Sequence, residues 1–107
     1  MADNSDKYLD LVKKIVLENI PKEKFNVFLF GSRTKKYHRS GADIDIGVKG
    51  TEPVNPKIIY TIKDIIEESI IPFKVDIIDF YKVSEDFKKE ALKDIKIWNQ
   101  IKTVNIK

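Results

Sequence analysis

The alternation of acidic and apolar residues from Asp43 to Val48 constrains the fold of this 107-residue chain more than any other feature. Successive side chains of a β-strand point to opposite faces of the sheet. A strand here therefore places Asp43 and Asp45 on one face and Ile44 and Ile46 on the other. The isoleucines supply a core face, and the two carboxylates lie together on the opposite face.

Two further apolar runs predict strands before and after this one in the chain. Phe25–Phe30 is aromatic and β-branched and ends at Gly31, whereas Phe73–Phe80 contains Asp76 and Asp79. These two aspartates are an odd number of positions apart, so only one of them can join the first pair. Asp76 lies between apolar residues, where burial of a carboxylate is costly unless metal or hydrogen bonds compensate it. We therefore interpret Asp76 as a third metal ligand and Asp79 as structural.

Helical spacing of apolar residues predicts three helices around these strands. The first runs from a cap at Ser5 to the break at Pro21, the second begins at Pro56, and the third is capped by Ser84. The order of helices and strands indicates an α/β layer architecture. The apolar helix positions are Tyr8, Leu11, Val12, Ile15 and Val16 in the first, Ile58, Ile59, Ile62, Ile65, Ile66 and Ile70 in the second, and Phe87, Ala91, Leu92, Ile95 and Trp98 in the third.

Length and composition narrow the class of protein. We expect one domain, residues 1–107, with fraying at 1–5 and 102–107. Lysine and arginine exceed aspartate and glutamate by 20 − 17 = +3, which is too little to argue nucleic-acid binding from charge alone. The acidic start does not resemble a signal peptide, and no apolar run approaches the roughly 20 residues of a membrane span, so we expect a cytoplasmic protein. The chain has no cysteine, so any metal must be held mainly by oxygen.

A glycine–serine pair precedes the aspartates by ten residues. Gly31 lets the backbone approach an anion, Ser32 offers a hydroxyl and an N–H, and two carboxylates two positions apart can share a divalent metal. Arg33 is the best candidate for a basic phosphate ligand because it adjoins the pair. Whether the segment after Ser32 forms a short helix stays open. The basic residues that follow favour an anionic substrate, with a solvated loop as the open alternative, and His38 is interpreted as solvated; these residues are Lys35, Lys36, His38 and Arg39.

The motifs Gly31-Ser32-Arg33, Asp43-Ile44-Asp45 and Val75-Asp76-Ile77-Ile78-Asp79 resemble those of the minimal nucleotidyltransferases of the DNA polymerase β-like superfamily. In particular, they are similar to the MNT antitoxins of HEPN/MNT toxin–antitoxin modules. The resemblance covers nearly the whole chain and implies a small mixed β-sheet flanked by helices. It also implies that Gly31 and Ser32 hold the triphosphate of ATP and that Asp43, Asp45 and Asp76 bind two magnesium ions.

The same resemblance implies a reaction and a partner. A hydroxyl acceptor would attack the α-phosphate of ATP, and pyrophosphate would leave. The acceptor would be a tyrosine of a HEPN ribonuclease toxin, which the added AMP neutralises. Two alternatives stay open: a non-catalytic antitoxin that neutralises its partner by binding, and nucleotidyl transfer to a small-molecule or RNA hydroxyl. The modest net charge argues against nucleic acid as a direct partner.

Overall fold

A four-stranded mixed sheet organises the chain in the computed structural model, which describes residues 5–34 and 43–107. No helix in this described part is long and apolar enough to cross a membrane. The strands lie in the order β3-β2-β1-β4. The elements are α1 (Ser5–Asn19), β1 (Asn26–Phe30), a 3₁₀ turn (Gly31–Thr34), β2 (Ile44–Lys49), α2 (Pro56–Glu67), β3 (Val75–Asp79), α3 (Glu85–Ala91) and β4 (Lys96–Asn99).

The strand pairing brings the ends of β1, β2 and β3 together. β1 runs antiparallel to β2, with Phe30 opposite Asp45. β2 runs parallel to β3, with Asp45 beside Asp76, and the Ile44 N–H donates to the Lys74 carbonyl over 2.9 Å. A parallel and an antiparallel pair in one sheet confirm the predicted mixed sheet.

One face of the sheet is covered by α1 and α2, as the helical spacing predicts. Val12, Val16 and Ile62 are fully buried there and pack against alternate residues of the strands. α2 begins at Pro56, and the Asn55 side chain caps it by accepting the Lys57 N–H over 3.0 Å. The strand residues in this cluster are Val27, Leu29, Ile44, Ile46, Val48 and Ile77. The predicted placement of Ile44 and Ile46 on a core face is therefore confirmed.

A second, smaller core lies on the opposite face and is largely aromatic. The Phe28 and Phe80 rings meet edge to face with centroids 4.9 Å apart. Gly47 of β2 makes room for both rings, because a Cβ there would overlap them. The buried members of the cluster are Phe28, Phe30, Phe80, Leu92 and Ile106. Asp76 of β3 and its neighbour Asp45 of β2 also lie on this face.

The third helix is shorter than its apolar spacing predicts, so that prediction is wrong beyond Ala91. Ser84 caps it as expected by accepting the Phe87 N–H over 3.1 Å. The chain then turns, and β4 pairs antiparallel with β1. Ile97 and Trp98 favour a strand, and the open edge of β1 supplies the hydrogen bonds that decide between strand and helix. Trp98 is partly buried against the first core.

The chain termini differ in part from the expected fraying. α1 includes Ser5 rather than beginning after it, while residues 1–4 lie outside the described residues. Near the other end, Ile106 is buried in the second core. The fully buried Asn26 amide donates to the Val104 carbonyl over 2.8 Å and accepts the Ile101 N–H over 2.7 Å. These contacts anchor part of the segment 102–107, which was expected to fray as a chain terminus.

Candidate functional site

The three predicted carboxylates come from one end of the β2–β3 pair. Asp45 and Asp76 are direct neighbours in parallel register, and adjacent strands are separated by about 4.8 Å. Asp43 precedes β2 by one residue and is exposed, whereas Asp45 and Asp76 are half-buried. The structure therefore brings Asp45 and Asp76 side by side, with Asp43 close enough to act electrostatically on Asp45.

Partial burial and the neighbouring negative charges disfavour the ionised form of Asp45. Burial raises the pKa of Asp45 above its usual 3.8, and the negative charges of Asp76 and Asp43 raise it further. Lys74 opposes this rise, and its ammonium lies 3.9 Å from Asp76 Oδ2. An additional cation would relieve the repulsion among these carboxylates.

The glycine–serine pair forms a tight turn directly beside Asp45. Gly31 has φ +77°, a left-handed conformation that disfavours other residues. A Cβ at this position would lie 2.5 Å from Asp45 Oδ2, so glycine also leaves space for the carboxylate. The Thr34 hydroxyl donates to the Gly31 carbonyl over 2.7 Å and closes the 3₁₀ turn. The short helix that the sequence left open is therefore present, and its first residue touches the acidic cluster.

Ser32 is exposed at the wall of a groove between the 3₁₀ turn and α3. The groove has a volume of about 470 Å³. Phe30 and Phe87 form part of its apolar wall, and their rings meet edge to face with centroids 6.0 Å apart. Glu90 contributes a polar group at the rim. A groove of this size beside Ser32 can admit part of a nucleotide.

Arg33 occupies a different position from Ser32. Its residue is 3% exposed, and its guanidinium lies 4.4 Å from the centroid of the Phe73 ring. Phe73 in turn meets the Tyr8 ring edge to face at 5.8 Å. The structure therefore places Arg33 in the interior, in a cation–π contact, whereas its position in the sequence suggested a phosphate ligand.

Asp79 has the structural role that the sequence indicates. Its Oδ2 accepts the Val54 N–H over 2.9 Å, and its Oδ1 accepts the Tyr81 N–H over 3.0 Å. Both oxygens are thus used to join β3 to the segment before α2 and to the following turn. Asp79 is separate from the acidic cluster because it faces the other side of its strand.

We expect Asp79→Asn to destabilise the fold by about 1–3 kcal/mol, because an amide can accept only one of the two N–H groups through its oxygen. Urea unfolding measures this loss. Asp76→Asn on the same strand is the matched control, and it should leave the free energy of unfolding unchanged or raise it by relieving repulsion with Asp45. Equal losses in the two variants would contradict the separation of structural and functional aspartates.

Several residues near the site were not found from the sequence. Lys74 balances the acidic cluster, Phe73 holds Arg33, and Phe87 of α3 lines the groove. Lys74 could have been found from the sequence, because it lies two residues before Asp76 and so shares its face of the strand. The other two depend on contacts between distant parts of the chain. The basic residues Lys35, Lys36, His38 and Arg39 lie outside the described residues.

The chemistry of the acidic cluster suits a hard divalent cation. Carboxylate oxygens are the ligands that Mg²⁺ prefers, and the three aspartates supply them from one edge of the sheet. Within residues 5–34 and 43–107, no group of three or more histidine, cysteine or acidic side chains is already arranged to hold a metal ion. The donors and their mutual repulsion fit a metal, and binding would require the side chains to converge.

Comparison with known proteins identifies the family. Residues 9–102 match the family model described as polymerase beta, nucleotidyltransferase. A Haemophilus influenzae protein named "Probable protein adenylyltransferase MntA" is 31% identical over 87 residues, which cover 81% of this chain and 75% of the relative. These matches confirm the resemblance that the glycine–serine and aspartate motifs suggested.

Solved structures show the same fold at lower identity. A chain from a toxin–antitoxin complex with AMP-PNP superposes with a TM-score of 0.64 at 21% identity, covering 83% of this chain and 70% of its own length. A second match is a chain from the complex of a tri-AMPylated Shewanella oneidensis HEPN toxin with its MNT antitoxin. It superposes with a TM-score of 0.61 at 20% identity and covers 87% of this chain and 70% of its own length. The family match over residues 9–102 and the 31% identical relative together show that this chain belongs to the polymerase β nucleotidyltransferase family.

Proposed function

We propose that this protein is a magnesium-dependent adenylyltransferase that acts in the cytoplasm as the antitoxin of a HEPN ribonuclease. It transfers AMP from ATP to a tyrosine of that toxin. The observation that carries this proposal is the direct pairing of Asp45 with Asp76 beside the Gly31-Ser32 turn. The H. influenzae relative, named for protein adenylyl transfer, supports protein as the acceptor.

The nucleotide is held between the turn and the acidic cluster. Gly31 and Ser32 contact the triphosphate, and the groove of about 470 Å³ receives the remainder of ATP. Asp43, Asp45 and Asp76 hold two magnesium ions. When bound, the metal supplies positive charge that neutralises the phosphates and the developing charge of the reaction. The proximity of the turn to Asp45 brings the phosphates to these carboxylates.

The reaction forms one phosphorus–oxygen bond and breaks another. The tyrosine oxygen attacks the α-phosphorus, and the bond between that phosphorus and the bridging oxygen to the β-phosphate breaks. Pyrophosphate leaves, and the tyrosine proton passes to Asp76, which is accessible because its side chain is 33% exposed. AMP joined to the tyrosine then carries a negative charge into the toxin.

A partner chain fits the shape of this site. The acidic cluster lies at an edge of the sheet, and Asp43 is exposed there. An acceptor can therefore approach from outside without a channel through the protein. The solved complex whose HEPN toxin is tri-AMPylated contains a chain with this fold, and it supports a toxin as the acceptor.

Labelled ATP tests the proposal directly. The protein is incubated with magnesium and a candidate HEPN-domain protein, with the radioactive phosphorus placed either at the α- or at the γ-position. We expect only the α-label to appear on the HEPN protein, because pyrophosphate carries the γ-phosphorus away. Mass spectrometry of the toxin should then locate AMP on tyrosine, and replacing that tyrosine by phenylalanine should abolish the label.

Three results would overturn the assignment in whole or in part. Transfer that persists in a folded Asp43→Ala, Asp45→Ala double variant would exclude these residues as the metal site. A toxin that is neutralised in the complex with unaltered mass would indicate an antitoxin that acts by binding alone. Label on RNA or on a small hydroxyl compound, with none on the toxin, would change the acceptor class.

A further inference from the structure

Arg33 adjoins the phosphate-binding turn in sequence but is held in the protein interior. It follows Ser32, which is exposed, yet the arginine residue itself is 3% exposed. Its guanidinium lies 4.4 Å from the centroid of the Phe73 ring. A planar guanidinium stacks on an aromatic face more closely than an ammonium does, so the contact favours arginine specifically.

Phe73 connects this contact to the strand that carries Asp76. The ring packs against the first core and meets Tyr8 of α1 edge to face at 5.8 Å, so α1 supports it from behind. Asp76 follows Phe73 by three residues, so their backbones are at most about 10 Å apart in an extended chain. The intervening Lys74 carbonyl accepts the Ile44 N–H over 2.9 Å, which ties the same segment to β2.

The Arg33 side chain is directed away from the acidic cluster. Phe73 packs against the core that α1 and α2 cover, on the face where Ile77 is buried. Asp76 belongs to the opposite face, because its position alternates with that of Ile77. The Arg33 guanidinium therefore contacts Phe73 on the face of the sheet opposite to the carboxylates.

We propose that Arg33 is a positioning residue: its contact with Phe73 holds the Gly31-Ser32 turn in a fixed place relative to Asp76. The inference rests on the proposed nucleotidyl transfer and assigns Arg33 a different role from the phosphate ligand that its sequence position suggested. The turn binds the phosphates, the strand provides the carboxylate, and the stacked pair joins the two. Loosening the contact shifts the α-phosphate relative to Asp76.

The test compares Arg33→Lys, Phe73→Leu, their double variant and Phe73→Tyr. We expect each of the first two to lower kcat by about tenfold, since small displacements of reacting groups are costly, while KM for ATP changes little. The double variant should be no slower than the worse single variant, because both remove one contact. Phe73→Tyr keeps the aromatic face and should retain the original kcat.

Nucleotide binding without turnover separates the two roles of Arg33. The dissociation constants of AMP-PNP and AMP are measured with magnesium for the same variants and for Arg33→Met. A positioning role predicts that Phe73→Leu reproduces the effects of the Arg33 variants on both nucleotides. A loss of AMP-PNP affinity, with AMP affinity intact, in Arg33→Met but not in Phe73→Leu would overturn the proposal, as would additive losses of kcat.

Urea unfolding of the wild type, Arg33→Lys, Phe73→Leu and their double variant gives a readout that needs no acceptor. Non-additive losses of stability in Arg33→Lys and Phe73→Leu support the contact, and strictly additive losses contradict it. If the wild-type protein labels no HEPN partner, the proposed function fails, while the nucleotide affinities and the unfolding cycle still decide the role of Arg33. The two failures are therefore distinguishable.

Discussion

Asp45→Asn is expected to lower AMP transfer by on the order of a hundredfold to a thousandfold, while the metal-free protein becomes more stable. The loss of activity follows because this carboxylate lies between the Gly31 turn and Asp76, where the proposed function places the phosphates and the metal. Removing one preorganised charge from such a site costs about that factor. The transfer rate with labelled ATP and the midpoint of thermal unfolding measure the two effects.

The gain in stability follows from the sign of the pKa change. Burial and the charges of Asp76 and Asp43 raise the pKa of Asp45 in the folded protein above its usual 3.8. A group whose pKa is raised on folding stabilises the fold below its unfolded pKa, and that contribution is lost as pH rises through the folded pKa. At neutral pH the ionised Asp45 is therefore a cost, which asparagine removes.

Magnesium is expected to reverse the order of stability of the wild-type protein and Asp45→Asn. If the proposed metal site is correct, magnesium stabilises the wild-type protein, because a ligand that binds only the folded form shifts the unfolding equilibrium. We expect magnesium to raise the unfolding midpoint of the wild-type protein and to have little effect on Asp45→Asn. Asp10→Asn on the exposed side of α1 removes the same charge elsewhere and should respond to magnesium like the wild type. Equal responses of Asp45→Asn and the wild type would exclude Asp45 as a metal ligand.

The aspartate pattern could be predicted because it depends on local geometry. The two-residue period of a strand places Asp43 with Asp45 and separates Asp76 from Asp79 without knowledge of which strands pair, and the apolar neighbours of Asp76 favour it over Asp79. The parallel register that makes Asp45 and Asp76 direct neighbours is a property of the assembled sheet. The sequence therefore predicted the members of the cluster, and the fold determined how closely two of them approach.

Features that depend on distant parts of the chain were not predictable in the same way. Ile95 and Trp98 continue a helical spacing, but the free edge of β1 recruits this segment as a strand. Asn26 holds the segment near Val104 through a buried amide, a contact across 78 positions in sequence. Arg33 similarly adjoins Ser32 in the chain, but its guanidinium lies over the ring of Phe73, which is distant in the sequence.

Gly31→Ala is expected to impair both stability and catalysis, for two separable reasons. The backbone at φ +77° costs a non-glycine residue about 1–2 kcal/mol. The new Cβ would also lie 2.5 Å from Asp45 Oδ2, so the carboxylate must move. A displacement of about 1 Å can cost about a hundredfold in rate, and we expect a loss of that order in AMP transfer.

A double-mutant cycle separates the backbone strain from the clash. The three atoms closest to the added Cβ all belong to Asp45, namely Oδ2, Cγ at 3.4 Å and Cβ at 3.5 Å. In an Asp45→Ala background, Gly31→Ala should therefore destabilise the fold by the backbone cost alone, as measured by urea unfolding. If the substitution costs the same in both backgrounds, the Asp45 carboxylate does not lie against the turn. A smaller cost without Asp45 instead means that the glycine keeps the Gly31-Ser32 turn and the acidic cluster in direct contact, as the proposed nucleotidyl transfer requires.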